Sequence, residues 1–136
     1  MTAYNTNTSN IDFADAKTSK VGFSAAVSIL EKWGCAPKDM LNILRLPRSS
    51  YFAFKKPEAK FVLDKDQLTR ISYILNIHAA LRMYFSNPEN VYGFMQMENA
   101  NPYFEGRKPL DIIKGGGFPE LHEVFSRVDS MRSGGW

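Results

Sequence analysis

The chain has 136 residues, 44% of them hydrophobic and 23% charged, with a formal charge of 17 − 14 = +3. That length suits one domain, or one domain with a small module, and can bury about two thirds of its unfolded surface without help from disulfides or metal. The composition excludes a wholly disordered chain and a coiled-coil rod, and the single cysteine, Cys35, excludes an internal disulfide or a cysteine-cluster zinc site.

The longest apolar runs are only a few residues, far short of the roughly 18 that span a bilayer. No charged start followed by an apolar segment suggests a secretory leader. A cytoplasmic protein without membrane association is therefore expected. The charge is uneven. Residues 1–63 hold nine Lys/Arg against five Asp/Glu, a net of +4, and residues 64–136 hold eight against nine, a net of −1. The excess lies between Pro37 and Lys60, where Lys38, Arg45, Arg48, Lys55, Lys56 and Lys60 face only Asp39 and Glu58. This points to a polyanion partner, although a solvated surface would look the same.

Residues 1–22 are rich in Thr, Asn, Ser and Ala, which predicts a flexible arm, with structure beginning near Ser24. From Ala25, the residues Ala26, Val27, Ile29, Leu30 and Trp33 recur at helical spacing, and Gly34 stops the helix. A second helix is predicted over Pro37 to Leu44, with proline in its first turn. Pro47 and Ser49-Ser50 then open a third, ending at Lys55-Lys56-Pro57. Residues 23–62 thus form a helix-turn-helix-like module. In it Leu46, Tyr51 and Phe54 face the core, while Arg48, Ser49, Phe52, Lys55 and Lys56 face outward. Arg45, Arg48, Ser49, Lys55 and Lys56 are the candidate DNA contacts, since arginine reads guanine edges and lysine neutralises phosphate. Ala53 and Phe52 are unusual on a recognition helix, and a helical hairpin that does not bind DNA has the same pattern.

Asp64 to Phe85 gives the strongest helix signal, with Asp64 or Asp66 capping its start. Leu68, Ile71, Leu75 and His78 share one face, and Ile74, Ile77 and Leu81 lie beside it. This wide apolar arc predicts a central helix, with His78 packed and hydrogen-bonded. Asn87-Pro88 breaks it. Shorter helices are predicted over Pro88–Met97 and Pro109–Lys114, the latter stopped by Gly115-Gly116-Gly117, and a last helix over Pro119–Met131. Nothing alternates with period two, so the fold class is all-α. His78 and His122 lack clustered ligands, and no base accompanies Cys35, so neither a metal site nor a catalytic nucleophile is expected, and no cofactor.

The loop after the Pro88–Met97 helix and the short helix that follows it read Asn101-Pro102-Tyr103-Phe104-Glu105-Gly106-Arg107-Lys108-Pro109-Leu110-Asp111-Ile112-Ile113. Its pattern of Asn-Pro, an aromatic, Gly, two residues, Pro-Leu-Asp and two apolar residues before glycines resembles the C-terminal toxin-binding domain of the Xre/MbcA/ParS antitoxins. The order of elements, from a polar start through a helix-turn-helix to a long central helix, is similar as well. The resemblance implies a helical toxin-binding domain over 63–136 after the helix-turn-helix-like module. It also implies a non-enzymatic antitoxin that occludes its toxin's active site, commonly that of a RES-type enzyme consuming NAD. Such proteins dimerise, and an operator role through the N-terminal module is implied too.

Within the motif, Asn101, Pro102, Phe104, Gly106, Pro109, Leu110 and Asp111 read as scaffold: the prolines fix φ, Gly106 permits a turn, and Asp111 suits a first helical turn. Tyr103, Glu105, Arg107 and Lys108 are then the candidates for toxin contact. Arg132, Ser133, Gly134, Gly135 and Trp136 form a slim tail, and an aromatic after two glycines would suit a nucleotide cleft as a plug. Two other readings remain: a stand-alone helix-turn-helix regulator, and a small enzyme.

Overall fold

The structure, a computed structural model, describes the backbone of residues 8–134 and the side chains of residues 15–134. Its described residues form seven α-helices and one short 3₁₀ turn, with no strand. The helices are α1 (Thr8–Lys32), α2 (Pro37–Leu44), α3 (Arg48–Phe54), α4 (Lys65–Tyr84), α5 (Pro88–Gly93), α6 (Pro109–Ile113) and α7 (Phe118–Arg132). The all-α expectation holds.

Helix α4 is central and packs most extensively on α7 and then on α1. The reason is periodicity. Ile71, Ile74, Ile77, Ala80 and Leu81 of α4 are buried, as are Leu121, Val124, Val128 and Met131 of α7. Phe23, Ala26, Val27, Leu30 and Trp33 of α1 complete one continuous core. Asp64 caps α4: its carboxylate accepts from the Gln67 N–H at 2.8 Å, and the Gln67 side chain accepts from the Asp64 N–H at 3.0 Å. This reciprocal box satisfies two otherwise orphaned donors. Asp66 caps nothing; it pairs with Arg45 and Arg70.

The start of α1 corrects the sequence reading. A flexible arm over 1–22 is expected, yet the helix begins at Thr8, ahead of Ser24. Residues 1–7 lie outside the described residues. Tertiary contacts explain the difference, since composition does not see them. Ser19 is fully buried and its hydroxyl accepts from the Leu63 N–H at 2.9 Å. The Lys20 ammonium donates to the carbonyls of Phe54 and Lys56 at 3.3 and 2.5 Å, meeting the negative end of α3. Phe23 sets its ring edge-on to Tyr51, Phe54 and Phe61, and Phe54 stacks on Phe61 at 3.8 Å. The middle of α1, from Ser19 to Phe23, thus holds α3 and the segment leading into α4.

Helix α5 is also shorter than expected. Proline at its first turn and the Asn87 cap fit the reading, but the segment tightens to a 3₁₀ turn over Phe94–Gln96. The Gln96 amide reaches back to the Trp33 carbonyl at 2.9 Å.

Candidate functional site

Two surfaces carry the candidate residues. The first surrounds the turn between α2 and α3. The Leu46 N–H bonds the Leu41 carbonyl at 2.9 Å and the Arg45 N–H bonds that of Asn42 at 3.2 Å, closing α2 in a Schellman turn. Arg45 takes the left-handed position of that turn, φ 55°, and its guanidinium pairs with both Asp64 and Asp66. Arg45 is therefore a brace between the turn and α4, with its charge already answered. Both carboxylates sit below their ordinary range. For Asp64 the Gln67 N–H is the largest cause and Arg45 the next; for Asp66 Arg45 leads.

Leu46 and Tyr51 are buried and Phe54 is half-buried, while Arg48, Ser49, Phe52, Lys55 and Lys56 are exposed. Lys55 is tied to Glu31 at 3.3 Å and lies over the Tyr51 ring at 5.3 Å. Arg48 has no carboxylate partner among the described residues; its guanidinium lies over the Phe52 ring at 5.3 Å. The candidate DNA residues thus divide. Among the described residues Arg48 and Lys56 have no ion-pair partner and Ser49 lies exposed, whereas Arg45 and Lys55 are paired within the chain.

The second surface is the Asn101 loop with the end of α7. The loop is closed by the Asn99 N–H to the Arg107 carbonyl at 3.1 Å and the Gly106 N–H to the Asn99 carbonyl at 2.7 Å. Inside it, the Asn101 carbonyl accepts from Phe104 and Glu105 at 2.9 and 3.1 Å, and the Asn101 N–H donates to the Asn99 side chain at 2.9 Å. Phe104, Pro109, Leu110 and Ile113 are buried anchors, and Pro102 is exposed. Glu105 and Gly106 both hold positive φ, 52° and 83°, which turns the chain sharply. Asp111 lies in the first turn of α6 but caps no N–H; it pairs with Lys114 at 3.3 Å. Lys108 is half-buried at the N-cap of α6.

Arg107 lies at the surface, but its guanidinium is spent inward: it donates to the carbonyls of Phe104 at 2.8 Å and Tyr103 at 2.5 Å. Tyr103 is half-buried with two guanidinium groups over its ring, Arg107 at 5.4 Å and Arg127 at 5.3 Å from the ring centre. Burial raises its phenol above the ordinary value. Arg127, held by Glu123 at 2.8 Å, escapes sequence reasoning because a charge on the solvent face of an amphipathic helix carries no signal of its own. Tyr and Arg clusters are the side chains that protein interfaces favour.

Beside this patch is an open cavity of about 490 Å³ lined by Tyr84, Phe85, Phe94, Asn101, Met131 and Gly134. It brings the motif, the end of α4 and the root of the tail together. Tyr84, the last residue of α4, is 52% exposed. Arg132 pairs with Asp129 at 2.8 Å, Ser133 donates to the Ser130 carbonyl at 3.1 Å, and both are exposed, as is Gly134. Gly135 and Trp136, the expected plug, lie outside the described residues.

The remaining chemically active groups are placed apart. Burial, with a lesser push from Asp39, raises the Cys35 thiol to about 12, which keeps it protonated and unreactive. His78 stacks on Tyr92 at 5.3 Å, and burial lowers its pKa. It is packed as expected but not hydrogen-bonded, since its buried Nδ1 has no partner among the described residues. His122 is exposed, with Nδ1 at 3.0 Å from the Tyr73 hydroxyl. Among the described residues no three His, Cys, Asp or Glu side chains converge as metal ligands, and no helix is long and apolar enough to cross a membrane.

Residues 12–76 match the antitoxin Xre-like helix-turn-helix domain, and residues 80–134 match the antitoxin Xre/MbcA/ParS C-terminal toxin-binding domain. An uncharacterized protein of Sinorhizobium fredii, y4oB, is 31% identical over 107 residues, covering 78% of this chain and 80% of its own. No solved structure matches the chain significantly. With a helix-turn-helix match over its front half and a toxin-binding match over its back half, this chain belongs to the Xre/MbcA/ParS family of antitoxins.

Proposed function

We propose that the protein neutralises a cognate toxin of the RES type, an NAD-consuming enzyme, by covering its active site in the cytoplasm. It performs no catalysis. The observation that carries this reading is the junction at the 490 Å³ cavity, where the Asn101 loop, the end of α7 and the start of the tail meet. The contact is built from Tyr103, Glu105 and Lys108, extended by Arg127 and by the tail from Arg132 to Trp136. Arg107 contributes chiefly by holding the carbonyls of Tyr103 and Phe104 in place. The tail enters the nucleotide cleft of the toxin.

A second role is repression of its own operon as a homodimer, in which two α3 helices meet successive half-sites. The free Arg48 and Lys56 on the basic face support it.

Co-expression with the neighbouring toxin tests the first role. The full chain should restore growth, and a version ending at Met131 should fail although it stays folded. Equal rescue by both would move the contact onto α7 and the loop and remove the tail from the mechanism. No companion enzyme in a pull-down, together with salt-dependent DNA binding, would instead favour a stand-alone regulator. Arg48→Ala with Lys56→Ala should weaken binding to upstream DNA and leave growth rescue intact.

A further inference from the structure

The outward face of α3 carries an apolar residue where a polar one is usual. Phe52 is 52% exposed, its ring set nearly perpendicular to that of Tyr51 and lying under the guanidinium of Arg48. Arg48 and Phe52 are four residues apart, so they share one helix face. A guanidinium held over a ring by cation–π attraction keeps its N–H donors available to a further partner. The basic side chains nearby that have carboxylate partners, Arg45 and Lys55, are held back; Arg48 has none among the described residues.

We propose that Arg48 and Phe52 read a thymine–guanine step of duplex DNA as one unit. Arg48 donates its fork to N7 and O6 of the guanine, and the rim of Phe52 covers the methyl group of the thymine before it. The ring restrains the arginine, so little side-chain freedom is lost on binding. The occupant is DNA and not a second copy of the chain because the surrounding surface is positive: Lys55 is paired with Glu31, but Arg48, Lys56 and Lys60 have no carboxylate partner among the described residues. A neutral apolar partner would leave those charges unanswered. This inference rests on the operator-binding role proposed above and adds which bases are read.

The test uses the full chain and a random duplex library, followed by titration of the enriched sequence. Each half-site should contain the step TG. Replacing its thymine by deoxyuridine removes one methyl and should weaken binding about threefold to fourfold. Phe52→Ala should bind the thymine and uracil duplexes alike. Arg48→Lys keeps the charge and should lose about tenfold of the preference for guanine, with its affinity for unrelated duplex little changed. Melting curves check that both variants stay folded, as two exposed side chains allow.

An enriched site without the step, or equal affinity for the two duplexes in the unaltered protein, overturns the inference. Salt-dependent binding to every duplex alike overturns it while leaving DNA binding in place. Failure to bind any duplex at low salt overturns both. If Phe52→Ala changes the oligomeric state of the free protein but not its base preference, the ring belongs to a contact between copies, and the reading unit is wrong.

Discussion

Gly106 and Gly116 both hold the left-handed backbone, with φ +83° and +81°, yet they differ in what surrounds them. A Cβ added to Gly106 meets nothing within 4 Å, whereas one added to Gly116 falls 2.2 Å from the backbone carbonyl oxygen of Asn42. Gly106→Ala should therefore cost about 1 kcal/mol, the backbone strain alone. Gly116→Ala should cost about 3 kcal/mol or more, because a helix end must also move. Urea unfolding of the two variants compares them directly. The sequence marks both as turn glycines, but it cannot distinguish an open turn from one pressed against another element. His78 poses a similar problem: its place on the apolar face is legible, its orphaned Nδ1 is not. Burial lowers its folded pKa below the ordinary 6.5. The stability linked to this is present above 6.5 and is lost as pH falls through the folded value. The melting temperature should fall between pH 7.5 and 5.5, and His78→Phe, which keeps the stack on Tyr92, should flatten that fall.

Among elements, α4 is the one on which the others converge, and Arg70 shows how. It is 8% exposed on a helix whose buried neighbours are apolar. One guanidinium nitrogen donates to the Ile43 carbonyl at 3.2 Å and the Gly116 carbonyl at 2.6 Å, Nε meets Asp66 at 3.1 Å, and the group lies over the Phe118 ring at 5.6 Å. It satisfies the carbonyls at the end of α2 and in the turn before α7, so one side chain joins the helix-turn-helix to the toxin-binding half. Arg70→Met fills the space but leaves both carbonyls unsatisfied, and should cost about 2–4 kcal/mol. Thermal melts would show it, and growth rescue at raised temperature should fail with it. Period and capping made the helices themselves readable: the Pro37 and Asp64 starts stand where the sequence puts them. The start of α1 is not readable, because buried Ser19 and half-buried Lys20 are polar residues bonded to partners 44 and 36 positions away. The motif was legible as a scaffold for the same reason α2 was, since proline and glycine act locally. Arg107 misled because exposure at the loop surface gives no hint that its fork turns back onto the loop's own carbonyls.

The two family matches end and begin at residues 76 and 80, both inside α4, which runs unbroken from Lys65 to Tyr84. The halves therefore share a wall. Ile71 and Ile74 belong to one match and Ala80 and Leu81 to the other, and all four are in the same core. A fragment ending at Ile77 would lose α7, the largest partner of α4, and should show weak helical circular dichroism and no cooperative melt, while the whole chain melts in one step. A single cooperative transition in the fragment would mean that the front half is autonomous. The shared helix also constrains descent. Genes for two such proteins that recombined near that seam would splice mismatched faces of one rod, and the offspring would lose the packing of both regions together. The helix-turn-helix region and the toxin-binding region are in this architecture a linked trait, so a lineage under pressure to change one must adapt it in place; it cannot borrow a new one whole.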